Sequence, residues 1–569
     1  MGTLGLWEGA LDLPEGAALG DWAKTWFSCG ETGFGLDLSK LGPAGRGLAS
    51  MEAPLRAALE EMEALEAGAI ANPSEGRMVG HYWLRAPELA PEGLGEEIAA
   101  TREACLEFGR RVRAGEVFPA CGGRFTKVLA IGIGGSALGP QLLQDALGEP
   151  GAGLPTLFFD NTDPDGFGRT LRGLGEELRS CLVLVTSKSG GTKETRNGML
   201  VARAAFEAAG LPFARQAVAI TGKGSALDAL AEEESWLARF PMWDWVGGRT
   251  SVCSAVGLVP GALMGIDMGR FLEGAAAMDR GTRKKELRQN LAAQLAAAWY
   301  LCSEGRGARA MVALPYRDRL GLFGRYLQQL VMESLGKRED RKGRVVHQGL
   351  TVYGNKGSTD QHAYVQQLRD GLDNFFVCFL RVLEDGSGGD PASALPVDED
   401  GATSGDYLDG FLLGTRRALS ENGRPNLTLC IPRLDAFALG ALVALFERTV
   451  GIYASLVDIN AYDQPGVEAG KKAAGELLDL RRNILRLLGE GAKSFEELLG
   501  SLPPQTDAES VWLVLQHLVA NSQRTGVTKS PGGSSGGSST GSSGEGSSGS
   551  PAGSSAGGPA GTFSLHEQN

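Results

Sequence analysis

Apolar residues in the middle of the chain come in short runs of strand length, each followed by a polar turn and a helical stretch. KVLAIGIG at 127–134 precedes a Gly/Ser turn and a helical segment that ends near Leu147. LPTLFFD at 154–160 is a second such run, and CLVLVTS at 181–187 leads through a small polar loop into a helical stretch at 193–210. Alternating strands and helices predict a parallel sheet with helices on both faces.

A second series of the same kind follows a helical segment at 271–303. MVALP (311–315) and NLTLCIP (426–432) are predicted strands, and each leads into a helix, at 322–335 and 435–457. The pattern therefore predicts a second α/β region after the first.

The two ends of the chain differ from this middle part. Apolar periodicity at 53–69 and 98–115 predicts helices, and the first hundred residues as a whole are expected to be helices and turns. The Gly/Asp-rich stretch 385–406 is expected to be an exposed loop. From Ser530 to Gly561 the chain is almost wholly Gly, Ser, Pro and Ala, a composition that favours disorder because little apolar surface can be buried.

A chain of 569 residues exceeds what one core usually supports, so several domains are expected. The predicted division is a helical N-terminal segment that packs on the larger domain, a first and smaller α/β domain, a second and larger α/β domain, a small helical addition, and a disordered tail: 1–100, 101–270, 271–488, 489–525 and 526–569.

Charge and cysteine usage exclude several function classes. A net charge of −13 argues against a general nucleic-acid partner, because no broad basic surface is available to displace counterions. The eight cysteines are scattered without a CxxC pair, which is typical of reduced thiols in an intracellular protein. We find neither an apolar stretch of about 20 residues, as a membrane span needs, nor the pattern of a secretory leader. A cytoplasmic location without a membrane partner is therefore expected.

Two of the polar segments suit a phosphate group. GIGGSA at 132–137 fits the dinucleotide pattern G-x-G-x-x-A after a strand, which leaves a nicotinamide dehydrogenase as one interpretation. SKSGGT at 187–192 offers hydroxyl groups and backbone N–H groups at the start of a helix, together with Lys188. A dinucleotide site does not need a second hydroxyl-rich anion cradle, so a phosphate-bearing ligand is favoured. An ordinary helix cap with incidental serines is the alternative.

Four further segments contribute charged or acid–base groups, each of which also has a purely structural explanation. Glu333 lies on one helical stripe with Tyr326 and Leu330 and suits a base for a carbon acid, although an i,i+4 ion pair with Lys337 would also explain it. His362 follows a candidate capping box formed by Ser358 and Gln361, which places it in the first turn of a helix. A lone histidine there is usually structural.

Arg249 in GGRTS and Lys471 after QPGVEAG complete the set. Two glycines before Arg249 allow the backbone to approach a ligand closely, but a structural ion pair would also account for the arginine. Lys471, seven residues after Gln464, would by default be a solvated helix lysine. The spacing of these groups is not that of a metal site.

At these segments the chain resembles the glucose-6-phosphate isomerase family, in which the same motifs occur in the same order. The resemblance is strongest to the cyanobacterial, chlamydial and plastid branch of the family. The resemblance covers roughly residues 1 to 525. It implies two sugar-isomerase-type αβα sandwich domains with parallel-rich sheets and helical N- and C-terminal extensions. The chain departs from the family at SKSGGT, where SKTxxT is commoner, and at Pro465, where a bulkier residue is usual.

The resemblance implies reversible aldose–ketose isomerisation of a sugar phosphate, without a metal or organic cofactor, in a homodimer whose subunits share active sites. It implies that Glu333 transfers the proton, that Arg249 stabilises the intermediate, and that His362, supplied by the other subunit, opens the sugar ring with Lys471. The implied substrate-binding residues are Gly135, Ser136, Ser187, Lys188, Ser189, Thr192, Gly248 and Gln464. A non-catalytic phosphosugar-binding regulator of the same fold is the alternative function, and the plastid stroma is the alternative location.

Overall fold

The computed structural model describes residues 22, 24–386, 394–530 and 561–566, apart from the side chains of 467–469 and 471. Contacts group the chain into two compact units, Met1–Asp463 and Gln464–Asn569. Both predicted α/β regions lie in the first unit, and the second unit begins earlier than the predicted boundary at 488.

A five-stranded parallel sheet forms in the part of the first unit where strands were predicted from apolar runs. Its strand order is β4-β3-β5-β6-β7. The strands are β3 (Lys127–Ile131), β4 (Thr156–Phe159), β5 (Cys181–Ser187), β6 (Ala217–Thr221) and β7 (Ala238–Pro241). Every residue of β5 is buried, as expected for a central strand covered by helices on both faces.

The second large sheet of the first unit has six strands and is mixed, with the strand order β1-β2-β13-β12-β8-β11. Its strands are β1 (Trp26–Cys29), β2 (Phe34–Asp37), β8 (Ala310–Pro315), β11 (Val352–Tyr353), β12 (Phe375–Val382) and β13 (Asn426–Ile431). The last four run parallel, whereas β2 pairs antiparallel with β13. A separate hairpin is formed by β9 (Lys337–Glu339) and β10 (Val345–Gln348).

The strands β1 and β2 contradict the prediction that the first hundred residues contain only helices and turns. These four-residue strands pair with each other, and β2 also pairs with β13, almost 400 positions later along the chain. Such short strands carry little local signal, and distant pairing decides their conformation.

Helices of the first unit cover both sheets. The helix Ala436–Leu456 is long and apolar enough to cross a membrane, but 89% of its most apolar window is buried within the protein. The described α-helices of this unit are Glu52–Glu66, Leu94–Ala114, Gly135–Leu147, Pro164–Leu174, Lys193–Ala208, Ala226–Glu233, Ala255–Leu263, Met268–Thr282, Leu291–Cys302, Phe323–Leu327, Val365–Asp370, Ser404–Glu421 and Ala436–Leu456.

Within the described residues, 3-10 helices and one π-helix join these elements. The π-helix is Gln328–Glu333. The 3-10 helices are Gly42–Met51, Pro87–Leu89, Gly175–Ser180, Phe213–Gln216, Gly248–Thr250, Leu287–Gln289, Asp318–Leu320 and Thr359–His362. The predicted exposed loop at 385–406 falls partly on residues outside the described part of the chain, and its end already belongs to the helix Ser404–Glu421.

The second unit is a small helix-and-sheet module with its own core. Four helices pack on a three-stranded antiparallel sheet of order β14-β16-β15. The helices are Pro465–Gly489, Phe495–Gly500, Ala508–Ala520 and Ser522–Thr525. The strands are β14 (Lys493–Ser494), β15 (Val527–Ser530) and β16 (Thr562–Leu565).

This module corrects two predictions for the C-terminal region. The addition at 489–525 is not purely helical, and the tail predicted to be disordered from 526 contains two paired strands. Phe563 in β16 is 1% exposed and packs with Ile484 and Leu515 in the module core. The composition of the tail gave no signal of β16, because this strand follows a long Gly/Ser tract. Residues 531–560 of that tract lie outside the described part of the chain.

Candidate active site

The two Gly/Ser loops lie side by side at the carboxyl edge of the five-stranded sheet. β3 and β5 are parallel neighbours, with Ile131 opposite Val185. The connections that leave them run in opposite directions, from β3 to β4 and from β5 to β6. In open α/β sheets a crevice forms between such strands, and ligands bind there.

Hydroxyl side chains surround the turn between β5 and the helix Lys193–Ala208. Ser187 Oγ accepts a hydrogen bond from the N–H of Gly190 at 3.2 Å and lies 3.4 Å from Thr192 Oγ1. Thr192 precedes the helix without capping it through its side chain. Its hydroxyl and the first N–H groups of a 16-residue helix therefore form a suitable anion cradle.

Ser189 is part of the same turn. Its Oγ accepts a hydrogen bond from the N–H of Gly191 at 3.1 Å. The predicted phosphate loop is thus a compact turn in which three hydroxyl-bearing residues lie within six positions of one another.

The side chain of Lys188 is directed to a different segment. Its Nζ donates hydrogen bonds to the carbonyl oxygens of Asp244 at 3.0 Å and Val246 at 2.9 Å. Burial lowers the pKa of this ammonium group. The side chain therefore holds the segment that precedes Gly247. Only the backbone N–H of Lys188 is left as a donor for a phosphate in the loop.

The segment that carries Arg249 packs directly on the other Gly/Ser loop. A Cβ on Gly135 would lie 2.0 Å from the carbonyl oxygen of Gly248, so only glycine permits this approach. Ser251 Oγ donates a hydrogen bond to the Gly248 carbonyl at 2.8 Å and lies 3.4 Å from the Gly135 carbonyl. The two glycines thus bring Arg249 to the loop that contains Ser136.

Arg249 and Glu333 form an ion pair in this region. Arg249 Nη1 lies 3.3 Å from Glu333 Oε1, and the two side chains are 5% and 23% exposed. Tyr326 and Leu330 are buried, as the predicted stripe requires, but the helix widens into a π-helix over Gln328–Glu333. The π-turn, a feature frequent at functional sites, presents the carboxylate to the arginine.

The structural alternative for Glu333 is wrong. Lys337 does not form an ion pair with the Glu333 carboxylate but contacts its carbonyl oxygen at 3.4 Å. The Lys337 ammonium group instead pairs with Asp463 Oδ1 at 2.9 Å. Sequence analysis missed Asp463, because an aspartate in a loop gives no signal of a distant partner.

Gln329 is a further residue that sequence analysis missed. Its Nε2 lies 3.0 Å from the position that a Cβ of Gly134 would occupy. This amide is therefore next to the first Gly/Ser loop, on the same π-helix that carries Glu333.

His362 lies at the end of the 3-10 helix Thr359–His362, and its predicted local structure is wrong. Ser358 makes no capping bond, and Gln361 Nε2 donates to Tyr316 Oη at 3.0 Å and to the Phe411 carbonyl at 3.1 Å instead. The His362 side chain is exposed and makes no hydrogen bond within the described part of the chain. Its role stays a prediction.

Gln464 and Lys471 belong to the second unit. Gln464 immediately precedes the helix Pro465–Gly489, and Lys471 lies in the first two turns of that helix. The side chain of Lys471 is outside the described residues, so its predicted role also remains a prediction.

The arrangement has the parts that proton transfer on an anionic substrate requires. A buried guanidinium lies against a partly exposed carboxylate, next to two loops with N–H and hydroxyl donors. Within the described residues, no group of three or more His, Cys, Asp and Glu side chains is placed to hold a metal ion.

Comparison with protein families gives a match over most of the chain. The family model described as phosphoglucose isomerase matches residues 50–386 and 413–487. A glucose-6-phosphate isomerase from Geobacter sp. (strain M21) is 59% identical over 478 residues, which are 83% of this chain and 89% of the relative. One from Synechococcus elongatus is 56% identical over 497 residues, or 87% of this chain and 93% of the relative.

Solved structures resemble the fold as well. The crystal structure of a glucose-6-phosphate isomerase from Chlamydia trachomatis matches with a TM-score of 0.72 at 29% identity, and covers 82% of this chain and 93% of that one. A protein from Thermus thermophilus, described as hypothetical, matches with a TM-score of 0.65 at 29% identity, over 78% of this chain and 99% of that one.

Proposed function

Because the chain belongs to the phosphoglucose isomerase family, we infer that it catalyses the reversible isomerisation of glucose 6-phosphate and fructose 6-phosphate. It is an aldose–ketose isomerase, an intramolecular oxidoreductase. The relatives at 54–59% identity carry the name of the enzyme, and nothing supports the alternative of a non-catalytic phosphosugar-binding regulator.

The observation that carries this function is the contact between Arg249 and Glu333 beside the two Gly/Ser loops. In the proposed reaction Glu333 takes the proton from carbon 2 of the open-chain aldose, and the electron pair of the broken C–H bond forms the C1=C2 bond of an enediol(ate). As that bond forms, the π electrons of the C1=O bond move to O1. The same carboxyl group then returns the proton to carbon 1, the hydroxyl group on carbon 2 passes its proton to O1, and the C2=O bond of the ketose forms. The Arg249 guanidinium stabilises the negative charge that develops on the oxygens.

The phosphate group is proposed to bind in the loop of Ser187, Ser189 and Thr192, with the backbone of Lys188 and with Ser136. This anchoring is supported by the cradle at the start of the helix Lys193–Ala208. Fixing the phosphate holds the reacting carbons against Glu333, as proximity catalysis requires.

Ring opening is proposed to use His362 and Lys471, with Gln464 as a further substrate contact. The exposure of His362 supports a homodimer in which this histidine reaches the site of the partner subunit. Glycolysis and gluconeogenesis are the proposed setting, in the cytoplasm or, as the alternative, in the plastid stroma. No metal or organic cofactor enters the proposed reaction.

One assay tests the function. The purified chain is incubated with fructose 6-phosphate, and glucose 6-phosphate is measured through a coupled dehydrogenase, with and without EDTA. We expect turnover that EDTA leaves unchanged. Absence of glucose 6-phosphate would contradict the proposed function, and loss of turnover in EDTA would contradict the metal-free reaction.

A further inference from the structure

We propose that Asp463 is a positioning residue for the isomerisation, which holds Arg249 against Glu333 through a junction with Lys337. Asp463, Lys337, Ser74 and Arg249 are called the Asp463 junction below. The proposal rests on the proposed function, because it assigns Arg249 and Glu333 to that reaction.

The Asp463 carboxylate joins two separate segments of the first unit. Its Oδ1 lies 2.9 Å from Lys337 Nζ, and its Oδ2 accepts a hydrogen bond from Ser74 Oγ at 2.9 Å. The Asp463 carbonyl oxygen accepts a second hydrogen bond from Lys337 Nζ at 2.7 Å. The backbone of Asp463 is therefore fixed through three contacts.

The same backbone segment holds one side of the Arg249 guanidinium. Arg249 Nη2 donates to the carbonyl oxygens of Ala461 at 2.8 Å and Asp463 at 3.3 Å, while Nη1 faces Glu333. Because a guanidinium is planar, hydrogen bonds along one edge fix the orientation of the opposite edge. The position of the 461–463 backbone thus determines where Nη1 meets the Glu333 carboxylate.

Lys337 depends on Asp463 for its charge partner. The Lys337 side chain is 5% exposed, and burial lowers the pKa of its ammonium group while Asp463 opposes that change. Without the carboxylate, this buried cation would lose its hydrogen-bonded counter-charge, and such a loss is costly unless the surroundings move. We therefore expect removal of the charge to displace the 461–463 backbone.

Other contacts keep the neighbourhood folded when Asp463 is altered. Asn460 Nδ2 donates to Asn72 Oδ1 at 3.0 Å, and the Tyr462 N–H donates to Asn460 Oδ1 at 2.9 Å. The expected displacement is therefore local and acts on Arg249 rather than on the fold.

The first measurement compares Asp463→Asn with Asp458→Asn. Asp458 lies in the same segment, but its carboxylate pairs with Arg341 at 3.2 Å and Lys342 at 3.1 Å, away from Arg249. Asp463→Asn is expected to lower kcat about 10- to 100-fold with little change in KM, because misplacement of a catalytic group slows chemistry while the phosphate loop is untouched. Asp458→Asn is expected to keep normal kcat. An unchanged kcat in Asp463→Asn overturns the proposal.

The second measurement separates positioning from general stability. In an Arg249→Met background, Asp463→Asn should slow turnover by no more than about twofold, because two residues that act through one group have non-additive effects. Lys337→Met should show the same dependence on Arg249, which provides a second variant should Asp463→Asn fold poorly. Equal slowing in both backgrounds would mean that the junction is only structural.

A third measurement keeps the proposal distinct from the proposed function. If the unaltered chain shows no turnover, the proposed function is wrong, and the junction is then tested by urea unfolding of Lys337→Met, Asp463→Asn and the double variant. A positioning junction requires the two single effects to be coupled rather than additive. Additive effects would overturn it.

Discussion

Glu333 is the residue on which the proposed chemistry depends most. Its side chain is 23% exposed, and its carboxylate lies against a buried arginine beside the Gly/Ser loops. Glu333→Gln keeps the shape of the side chain but removes the base. We expect the rate to fall by about 10²–10⁴-fold with little change in affinity for the sugar phosphate, because the phosphate loop lies on other elements.

Isotope exchange makes this prediction specific. In D₂O the unaltered enzyme should place deuterium at the transferred position in part of the product, because a proton on a carboxyl group exchanges with solvent. In the Gln variant, turnover and incorporation should fall together by that factor while a sugar-phosphate inhibitor still binds. Glu339→Gln, an exposed position a few residues away, is the matched control. Near-normal turnover of the Glu333 variant would show that another residue is the base.

Glu447 gives a pH prediction at the same scale. This carboxyl group is fully buried beside Arg85, and burial raises its pKa from 4.5 to about 7. The carboxyl group of Glu447 therefore ionises at lower pH in the unfolded chain than in the folded one. The stability that the protonated Glu447 contributes is fully present below pH 4.5 and is lost as pH rises through about 7.

Glu447→Gln removes that titration. Between pH 5 and 8 the unaltered protein should lose on the order of 2–3 kcal/mol of unfolding free energy relative to the Gln variant. Urea unfolding at several pH values measures the difference. A difference that is constant over this range, or that grows in the opposite direction, would contradict the raised pKa.

Residue contacts were the part of the site that sequence could not supply. The motifs located Arg249 and Glu333, but their contact joins positions 84 apart, which no local pattern encodes. Lys188 shows the opposite case: its type and place suggested a phosphate ligand, yet its ammonium group binds two backbone carbonyls. Which partner a flexible cation meets is decided by packing, not by sequence spacing.

At the scale of elements, strongly apolar strands were predictable and weakly apolar ones were not. β5 occupies the predicted residues 181–187, because a continuous apolar run suits a strand buried on both faces. β1, β2 and β16 were missed, since each is four residues long, and β2 and β16 pair with strands that are distant in the chain. The prediction of a disordered tail from 526 was wrong for β15 and β16 for the same reason.

The corrected tail gives an element-scale prediction. β16 lies between β14 and β15, and its Phe563 is buried in the core of the second unit. Phe563→Ala should therefore destabilise this unit by about 3–5 kcal/mol, the usual cost of removing a buried phenylalanine. Hydrogen exchange of the backbone amides at 484–530 measures the loss of protection.

A matched control is Leu513→Ala in the same unit, because Leu513 is 54% exposed and has little buried surface to lose. It should leave amide protection nearly unchanged. Deletion of 562–569 should reproduce the effect of Phe563→Ala. If that deletion leaves the second unit as protected as before, the strand pairing of β16 is not part of the stable fold.

At the scale of the whole molecule, the proposed reaction uses His362, for which no hydrogen bond or ion pair with Glu333 is found among the described residues. His362 is exposed at the end of its 3-10 helix, and its side chain has no hydrogen-bond partner within the described part of the chain. The proposed homodimer resolves this by completing each site with the histidine of the other subunit. Oligomers with twofold symmetry share sites in pairs, so two such sites would form together.

Mixing two inactive variants tests this arrangement. A dimer of one His362→Ala subunit and one Glu333→Gln subunit has one site with both groups intact and one site that lacks both. Random exchange makes half of all dimers hybrid, so turnover should recover to about a quarter of the unaltered value. If the histidine acted within its own subunit, every site in the hybrid would lack one group. The same variants mixed only at the moment of assay, without exchange, provide the baseline. Native mass spectrometry that shows hybrids without recovered turnover would contradict the shared site, and a monomer at assay concentrations would contradict the dimer itself.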